Sequence, residues 1–327
     1  MSNASTSNGT PAAKAPKKNV PKRERALVTG ASGALGRLLC RRLHRSFDVI
    51  ALDRRPFPER PKDVDHHAID LRRKSAFASM RRKRPRVIIH LGVMHNPRKE
   101  TRGEAVRYNL DTMSHILRLA ERVKARKLIF LSTANLYGPS ATSSGFLTEE
   151  EPLMGAGRSP EVRDLIALDM MAQSFFWKRP EIETVVLRPV HIVGPHVRNA
   201  PSNYFRHKNP LTLLGFDPMV QVIHETDVVE ALMRALPEGV RGVFNVVGSG
   251  QAPLSRLLEA RGCRPVPVPG PIMQSFLSRA FRLRLSTYPP SELDHLRYSC
   301  LVDGKRANDE LGFRPRYGLF ETVRDLD

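Results

Sequence analysis

Eight residues near the start of the chain, Thr29-Gly30-Ala31-Ser32-Gly33-Ala34-Leu35-Gly36, follow the apolar run Ala26-Leu27-Val28 and lead into Arg37-Leu38-Leu39-Cys40-Arg41-Arg42-Leu43. An apolar run, a glycine-rich turn and a helix-like stretch in this order describe a strand that turns sharply into a helix, the fingerprint of a dinucleotide site. Gly30 suits the tight turn, Gly33 lets the backbone approach a pyrophosphate, and Gly36 lets the helix pack on its strand. Ser32, Ala34 and Leu35 complete the loop, whose helix N-terminus turns unpaired amides toward phosphate oxygens. A second apolar run, Val49-Ile50-Ala51-Leu52, ends in Asp53. That acid lies about 20 residues beyond the turn, where a carboxylate can accept from a ribose hydroxyl.

Further along, short β-like runs at Ala26 to Thr29, Asp48 to Leu52, Val87 to Leu91, Lys127 to Ser132 and Glu183 to Leu187 alternate with helical patterns. Such alternation predicts a parallel sheet covered by helices on both faces. Asn109 to Ala120 carries apolar residues at helical spacing and predicts one of those helices. After Pro195 the pattern loosens over residues 196–218 into a stretch rich in Pro, Asn and aromatics, expected as a substrate-contacting loop. The expected fold class is α/β: a Rossmann-like, doubly wound parallel sheet with a small C-terminal substrate lobe. Residues 1–24 read as a disordered basic tail and 25–195 as the dinucleotide-binding core. Residues 196–327 read mainly as the substrate lobe, with some chain returning to the core.

A chain of 327 residues with 41% hydrophobic content can bury a substantial core. No apolar stretch approaches the roughly 20 residues that span a bilayer, and the N-terminus has no signal-peptide apolar segment, so a cytoplasmic protein without a membrane span is expected. Cys40, Cys263 and Cys300 have neither metal-ligand spacing nor the number for a disulfide framework, so no metal site is expected. The formal charge of +20 attracts polyanions. Part of it sits in the tail, where six Lys or Arg face one Glu over residues 1 to 25, and weak polyanion binding is ascribed there. Arg81-Arg82-Lys83-Arg84-Pro85-Arg86 reads first as a solvated helix end and second as a nucleic-acid contact. Ile272 to Phe281, with Arg279, Arg282 and Arg284 close by, has one apolar helical face. Packing against the small lobe is its plainer explanation and a membrane surface the alternative.

Taken together, the motifs resemble those of the extended short-chain dehydrogenase/reductase family, the NAD-dependent epimerase/dehydratase group that includes the UDP-glucose 4-epimerases. The resemblance runs from Arg25 to Asp327. Besides the glycine turn, its marks are Asp70-Leu71, His90-Leu91-Gly92-Val93, Asn109 and Ser132-Thr133-Ala134-Asn135-Leu136-Tyr137-Gly138. Leu187 to Pro195, Val222 to Asp227 and Leu311 to Pro315 follow in order. The resemblance implies NAD as cofactor, a nucleotide-sugar as small-molecule substrate, and allows a homodimer. It places Asp70 and Leu71 at the adenine, Leu91, Gly92 and Val93 along the cofactor, and Asp53 at the adenosine ribose. Arg54 and Arg55 could meet a 2′-phosphate, but the carboxylate repels it, which favours NAD over NADP. Ser132 and Asn109 belong to the same implied site, and Pro189 and Val190 pass near the nicotinamide. Thr133 matches the family's catalytic Ser/Thr, and His191 stands where the family often has Asn.

One element is missing. The family carries a Tyr and a Lys four residues apart on the helix before Leu187-Arg188-Pro189, the Tyr exchanging the hydroxyl proton and the Lys lowering its pKa. Here Glu161 to Gln173 supplies Leu165 and Asp169, or in the adjacent register Asp164 and Leu168. Tyr204 and Lys208 have the spacing but lie in the presumed substrate segment. His191 and Asp169 are the alternative bases, each with a plainer role as a wall residue or an acceptor for ribose hydroxyls. Two functions therefore compete: an oxidoreductase with an altered proton relay, and a catalytically silent NAD-binding sensor or scaffold. RNA binding is a weaker third.

Overall fold

The computed structural model describes residues 23–94, 101–141, 145–157, 162–282 and 290–326. The N-terminal basic segment through residue 22 therefore lies outside the described residues, as does Arg284. Ten α-helices and thirteen strands are present among the described residues. Strands β1 (Arg25–Thr29), β2 (Asp48–Asp53), β3 (Asp65–Ala68), β4 (Val87–His90), β5 (Lys127–Leu131) and β6 (Glu183–Pro189) alternate with α1 (Ala34–Leu43), α2 (Lys74–Lys83), α3 (Arg102–Val123) and α4 (Arg163–Lys178). Then come β7 (His191–Val193), α5 (Ala200–Arg206), β8 (Leu211–Leu213), β9 (Met219–Val220), β10 (Val222–His224), α6 (Glu225–Arg234) and β11 (Gly242–Val246). The chain ends with β12 (Ala252–Pro253), α7 (Leu254–Arg261), β13 (Val266–Val268), α8 (Gly270–Arg282), α9 (Lys305–Leu311) and α10 (Leu319–Arg324).

The central sheet has seven strands in the order β3-β2-β1-β4-β5-β6-β11, and every pairing is parallel. Strand order reverses between β1 and β4, which opens a crevice at the carboxyl ends of the strands. Both faces are covered, and the side-chain period of two shows it. Ala26, Val28, Val49, Ala51, Val87 and Ile89 pack with Leu39, Leu43, Val228, Leu232, Ala307 and Leu311 of α1, α6 and α9. The intervening Leu27, Ile50, Leu52 and Ile88 pack with Met80, Ile116, Leu119 and Phe175 of α2, α3 and α4. Burial on both faces is why these strands are continuous apolar runs rather than alternating ones. A second core joins Phe205, Leu213, Leu257, Leu258, Met273, Leu277, Leu319 and Val323 into the C-terminal lobe.

Helix α3 begins at Arg102, well before the apolar period, because Thr101 and Glu104 form a capping box. The segment 196–218 is not a plain loop. It contains α5, started by Asn199, whose side chain accepts from the Ser202 amide at 2.9 Å, with Pro201 in the first turn. The basic cluster at 81–84 ends α2, with Arg84 at φ 49° as its C-cap and cations beside the last carbonyls. Helix α8 buries Met273 and Leu277 in the lobe, while Ile272 and Phe276 stay exposed. No helix among the described residues is long and apolar enough to cross a membrane.

The turn between β1 and α1 is fixed by backbone contacts. Gly30 has φ +69°, and a Cβ there would lie 2.8 Å from the backbone of Leu91 and Gly92; one on Gly36 would meet Gly30 and lie 2.7 Å from Ala31 Cα. Gly36→Ala should therefore lower stability by about 1–3 kcal/mol through overpacking, measured by urea denaturation. Unchanged stability would show that the turn can relax.

Candidate functional site

At the reversal point lies a cleft of about 580 Å³ whose wall runs from the glycine turn, past the ends of β2, β4, β5 and β6, to α5. Gly30, Gly33, Ala34, Leu35 and Gly36 form its floor at one end. The first-turn amides of α1 have no intrahelical partner there. A Cβ on Gly33 would sit 3.2 Å from Gly30 O, so the bare backbone forms a cradle that a side chain would fill. Phosphate oxygens fit this arrangement of amides and glycines.

Of the residues singled out from sequence, Asp53, Arg54, Leu71, Leu91, Gly92, Val93, Ser132, Thr133, Pro189, Val190 and His191 line the cleft with the glycine turn. Ser32, Asp70, Asn109 and Asp169 do not. The Ser32 amide donates to Asp53 Oδ2 at 3.1 Å. The Asp70 carboxylate accepts from the Arg72 guanidinium at 2.7–3.2 Å, and its neighbours Ile69 and Leu71 face the cleft instead. Asn109 braces the site from behind: Oδ1 accepts from the Met94 amide at 2.8 Å and Nδ2 donates to Asp164 Oδ2 at 2.7 Å. Sequence reasoning missed Tyr108, whose ring lies 5.0 Å from the Arg54 guanidinium carbon and 5.2 Å from that of Arg72. No motif points to it, because the two cations that flank it come from distant turns. Burial pushes its phenol up to about 12. Val197 to Pro201 and Asn203 line the cleft, within the segment expected as a substrate-contacting loop, but Ala200, Pro201 and Asn203 belong to α5.

Where the resemblance puts the proton carriers, the wall is apolar. Val162 and Leu165 face the cleft, which makes Leu165 and Asp169 the structurally equivalent pair and leaves Leu168 fully buried. Asp169 is also fully buried, with 0% exposure, and its carboxylate is saturated. Oδ2 accepts from Ser132 Oγ at 2.6 Å and Arg188 Nε at 3.0 Å; Oδ1 accepts from Arg188 Nη2 and Gln173 Nε2, both at 2.7 Å. Arg188 Nη1 also donates to Tyr137 OH at 2.8 Å, and that hydroxyl donates to Asn245 Oδ1 at 2.9 Å. A carboxylate so held has no acceptor site left for a ribose or a substrate proton. The adjacent register offers no more, since Asp164 pairs with Arg102. Tyr204 donates to Leu211 O at 2.9 Å, burial raises its pKa, and Lys208 is exposed outside α5, so this spacing does not form a dyad in the cleft.

The matches to known proteins agree with this architecture. Residues 26–247, well over half the chain, match the NAD dependent epimerase/dehydratase family. The chain belongs to that family. NAD is accordingly its cofactor, and the glycine cradle fits the pyrophosphate. An uncharacterized protein of Mycobacterium tuberculosis is 26% identical over 310 residues, spanning 91% of this chain and 82% of that protein. MoeE5 in complex with UDP-glucuronic acid and NAD shares the fold at TM-score 0.73 and 20% identity, covering 92% of this chain and 97% of that one. The UDP-glucose 4-epimerase of Thermotoga maritima, solved with UDP-glucose, does so at 0.70 and 19%, covering 92% and 96%. For dTDP-glucose 4,6-dehydratase of Bacillus anthracis the values are 0.70 and 16%, covering 92% and 94%.

Asp169→Ala in this family member leaves the Arg188 guanidinium buried and uncompensated. It should cost about 3–5 kcal/mol in guanidinium denaturation, whereas Asp169→Leu combined with Arg188→Met should cost less than either single change. Equal or additive losses would show that the pair does not act as a unit.

Proposed function

We propose that this protein holds NAD beside a nucleotide-sugar-class ligand in the epimerase/dehydratase cleft but lacks the family's paired proton carrier, so that it works as a binding or sensing protein with little turnover. One observation carries this reading: Leu165 forms the wall where a phenol would stand, with Asp169 sealed against Arg188 one turn along. Moving a hydride to or from a carbinol carbon also requires moving the hydroxyl proton, and removing a positioned acid or base commonly costs 10² to 10⁴ in rate, on the order of 3–5 kcal/mol. Tyr108, Tyr137 and Tyr204 do not replace it: the Tyr108 ring lies against Arg54 and Arg72, the Tyr137 hydroxyl is held between Arg188 and Asn245, and the Tyr204 hydroxyl donates to Leu211 O. The ligand class is supported by the UDP-sugars in the similar structures of MoeE5 and the Thermotoga enzyme.

A slow oxidoreductase is the second reading, favoured by Thr133 and His191. Thr133 Oγ1 lies in the cleft and accepts from the Asn135 amide at 3.2 Å, which leaves its own proton to donate to a substrate oxygen. His191 lines the same wall, its ring edge-on to His295 at 5.2 Å. Burial pushes His295 down to about 4, so it adds no charge to this wall near pH 7.

Titration calorimetry is expected to show NAD binding, and chromatographic assays with UDP- and dTDP-hexoses are expected to show no interconversion by the wild-type chain. Leu165→Tyr alone is expected to introduce a trace of turnover, because Thr133 is already in the wall. Brisk wild-type turnover abolished by His191→Ala, with NAD binding intact, overturns the sensor reading in favour of the second.

A further inference from the structure

At the adenosine end of the cleft, the carboxylate expected to receive the ribose is already engaged. A carboxylate offers about four lone-pair sites. The Ser32 amide takes one on Asp53 Oδ2 at 3.1 Å, and Arg55 takes the other three: its amide reaches Oδ1 at 2.9 Å, Nε reaches Oδ1 at 3.2 Å, and Nη2 reaches Oδ2 at 3.2 Å. Asp53 is 8% exposed whereas the Arg55 side chain is 65% exposed, so solvent and ligand meet the guanidinium rather than the acid. Ser32 Oγ donates to Arg55 O at 3.0 Å and pins the backbone that carries it. The guanidinium also stands over the glycine turn, with Nη2 3.7 Å from where a Cβ on Gly33 would lie. Arg54 lines the same stretch against Tyr108.

We infer that this end of the cleft accepts a dinucleotide with a 2′-phosphate as well as one with a free 2′-hydroxyl, and that Arg55 sets the balance. The inference rests on the dinucleotide cleft described above. Asp53, Arg54 and Arg55 together carry one net positive charge. The repulsion by which a bare carboxylate rejects a 2′-phosphate is offset by the arginine clasped to it. A ribose diol must displace the two guanidinium donors, Nε and Nη2, to reach Asp53 and gains nothing from them in return. A phosphate dianion need only turn the guanidinium outward, where planar, paired N–H groups match its oxygens. The same side chain therefore opposes one ligand and recruits the other.

The test is calorimetric titration of the full chain with 5′-AMP and 2′,5′-ADP, which differ only by the 2′-phosphate, followed by NAD and NADP. In the wild type, 2′,5′-ADP is expected to bind at least as tightly as 5′-AMP at low salt and to weaken more steeply as salt rises. Arg55→Ala should weaken 2′,5′-ADP about tenfold or more, the scale of one charge-assisted hydrogen bond, while 5′-AMP binding holds or tightens. Arg55→Lys should recover part of the loss, and thermal melts identify any variant that is not folded. A wild type that binds 5′-AMP but takes 2′,5′-ADP more than tenfold more weakly overturns the inference and leaves the dinucleotide site standing. So does an Arg55→Ala effect equal on both probes. Binding of neither nucleotide overturns both.

Discussion

Backbone meeting backbone at the β1–α1 turn is the constraint on which the rest of the structure depends. Gly30, Gly36 and the Leu91-Gly92 peptide approach so closely that no Cβ fits between them. That closeness sets the depth of α1 against the sheet and aims its first-turn amides at the crevice. Everything further along the cleft is measured from there: Asp53 is tied to the turn through the Ser32 amide, and Leu91 to Met94 run beside it before Asn109 fixes their end.

At the opposite end the organising interaction is electrostatic. The Arg188–Asp169 pair, 1% and 0% exposed, joins the ends of β5 and β6 to α4 through Ser132, Tyr137 and Gln173. Two charges at such depth are tolerable because nearly every lone pair and N–H is satisfied. The network supplies order beneath the cleft wall, and it leaves the Asp169 carboxylate no lone pair with which to act on a ligand.

Much of the core was legible because its strands are buried on both faces, so their apolar runs announce themselves. Within the central sheet, the strands missed from apolar patterning are those at its edges. Asp65-His66-His67-Ala68 forms β3 with hardly an apolar residue, and Gly242-Val243-Phe244-Asn245-Val246 forms β11 far from its neighbour in sequence. Helix α5 was hidden because its start depends on one asparagine cap rather than on periodicity. In the site, the glycine turn and the absent Tyr and Lys could be read directly from residue types. What had replaced them could not: the engagement of Asp169 depends on Arg188, nineteen positions away and on another element. Likewise Arg55 is only two positions from Asp53, yet nothing in the spacing says that its side chain folds back onto the acid.

The buried pair also bears on how this cleft could change over time. A lysine at 169 would face the Arg188 guanidinium with no carboxylate between them, and loss of Arg188 first would strand Asp169 as a lone anion in the core. Either step alone crosses a valley in stability, so a lysine at 169 is open only to paired substitutions. A phenol at 165 meets no such charge barrier: Leu165 is buried beside the cleft it lines, so the exchange changes volume and leaves the charge balance alone. Positions 165 and 169 are thus unequal in what they would accept, and the order in which a phenol and an ammonium could arrive there is set by the charge balance beneath the cleft.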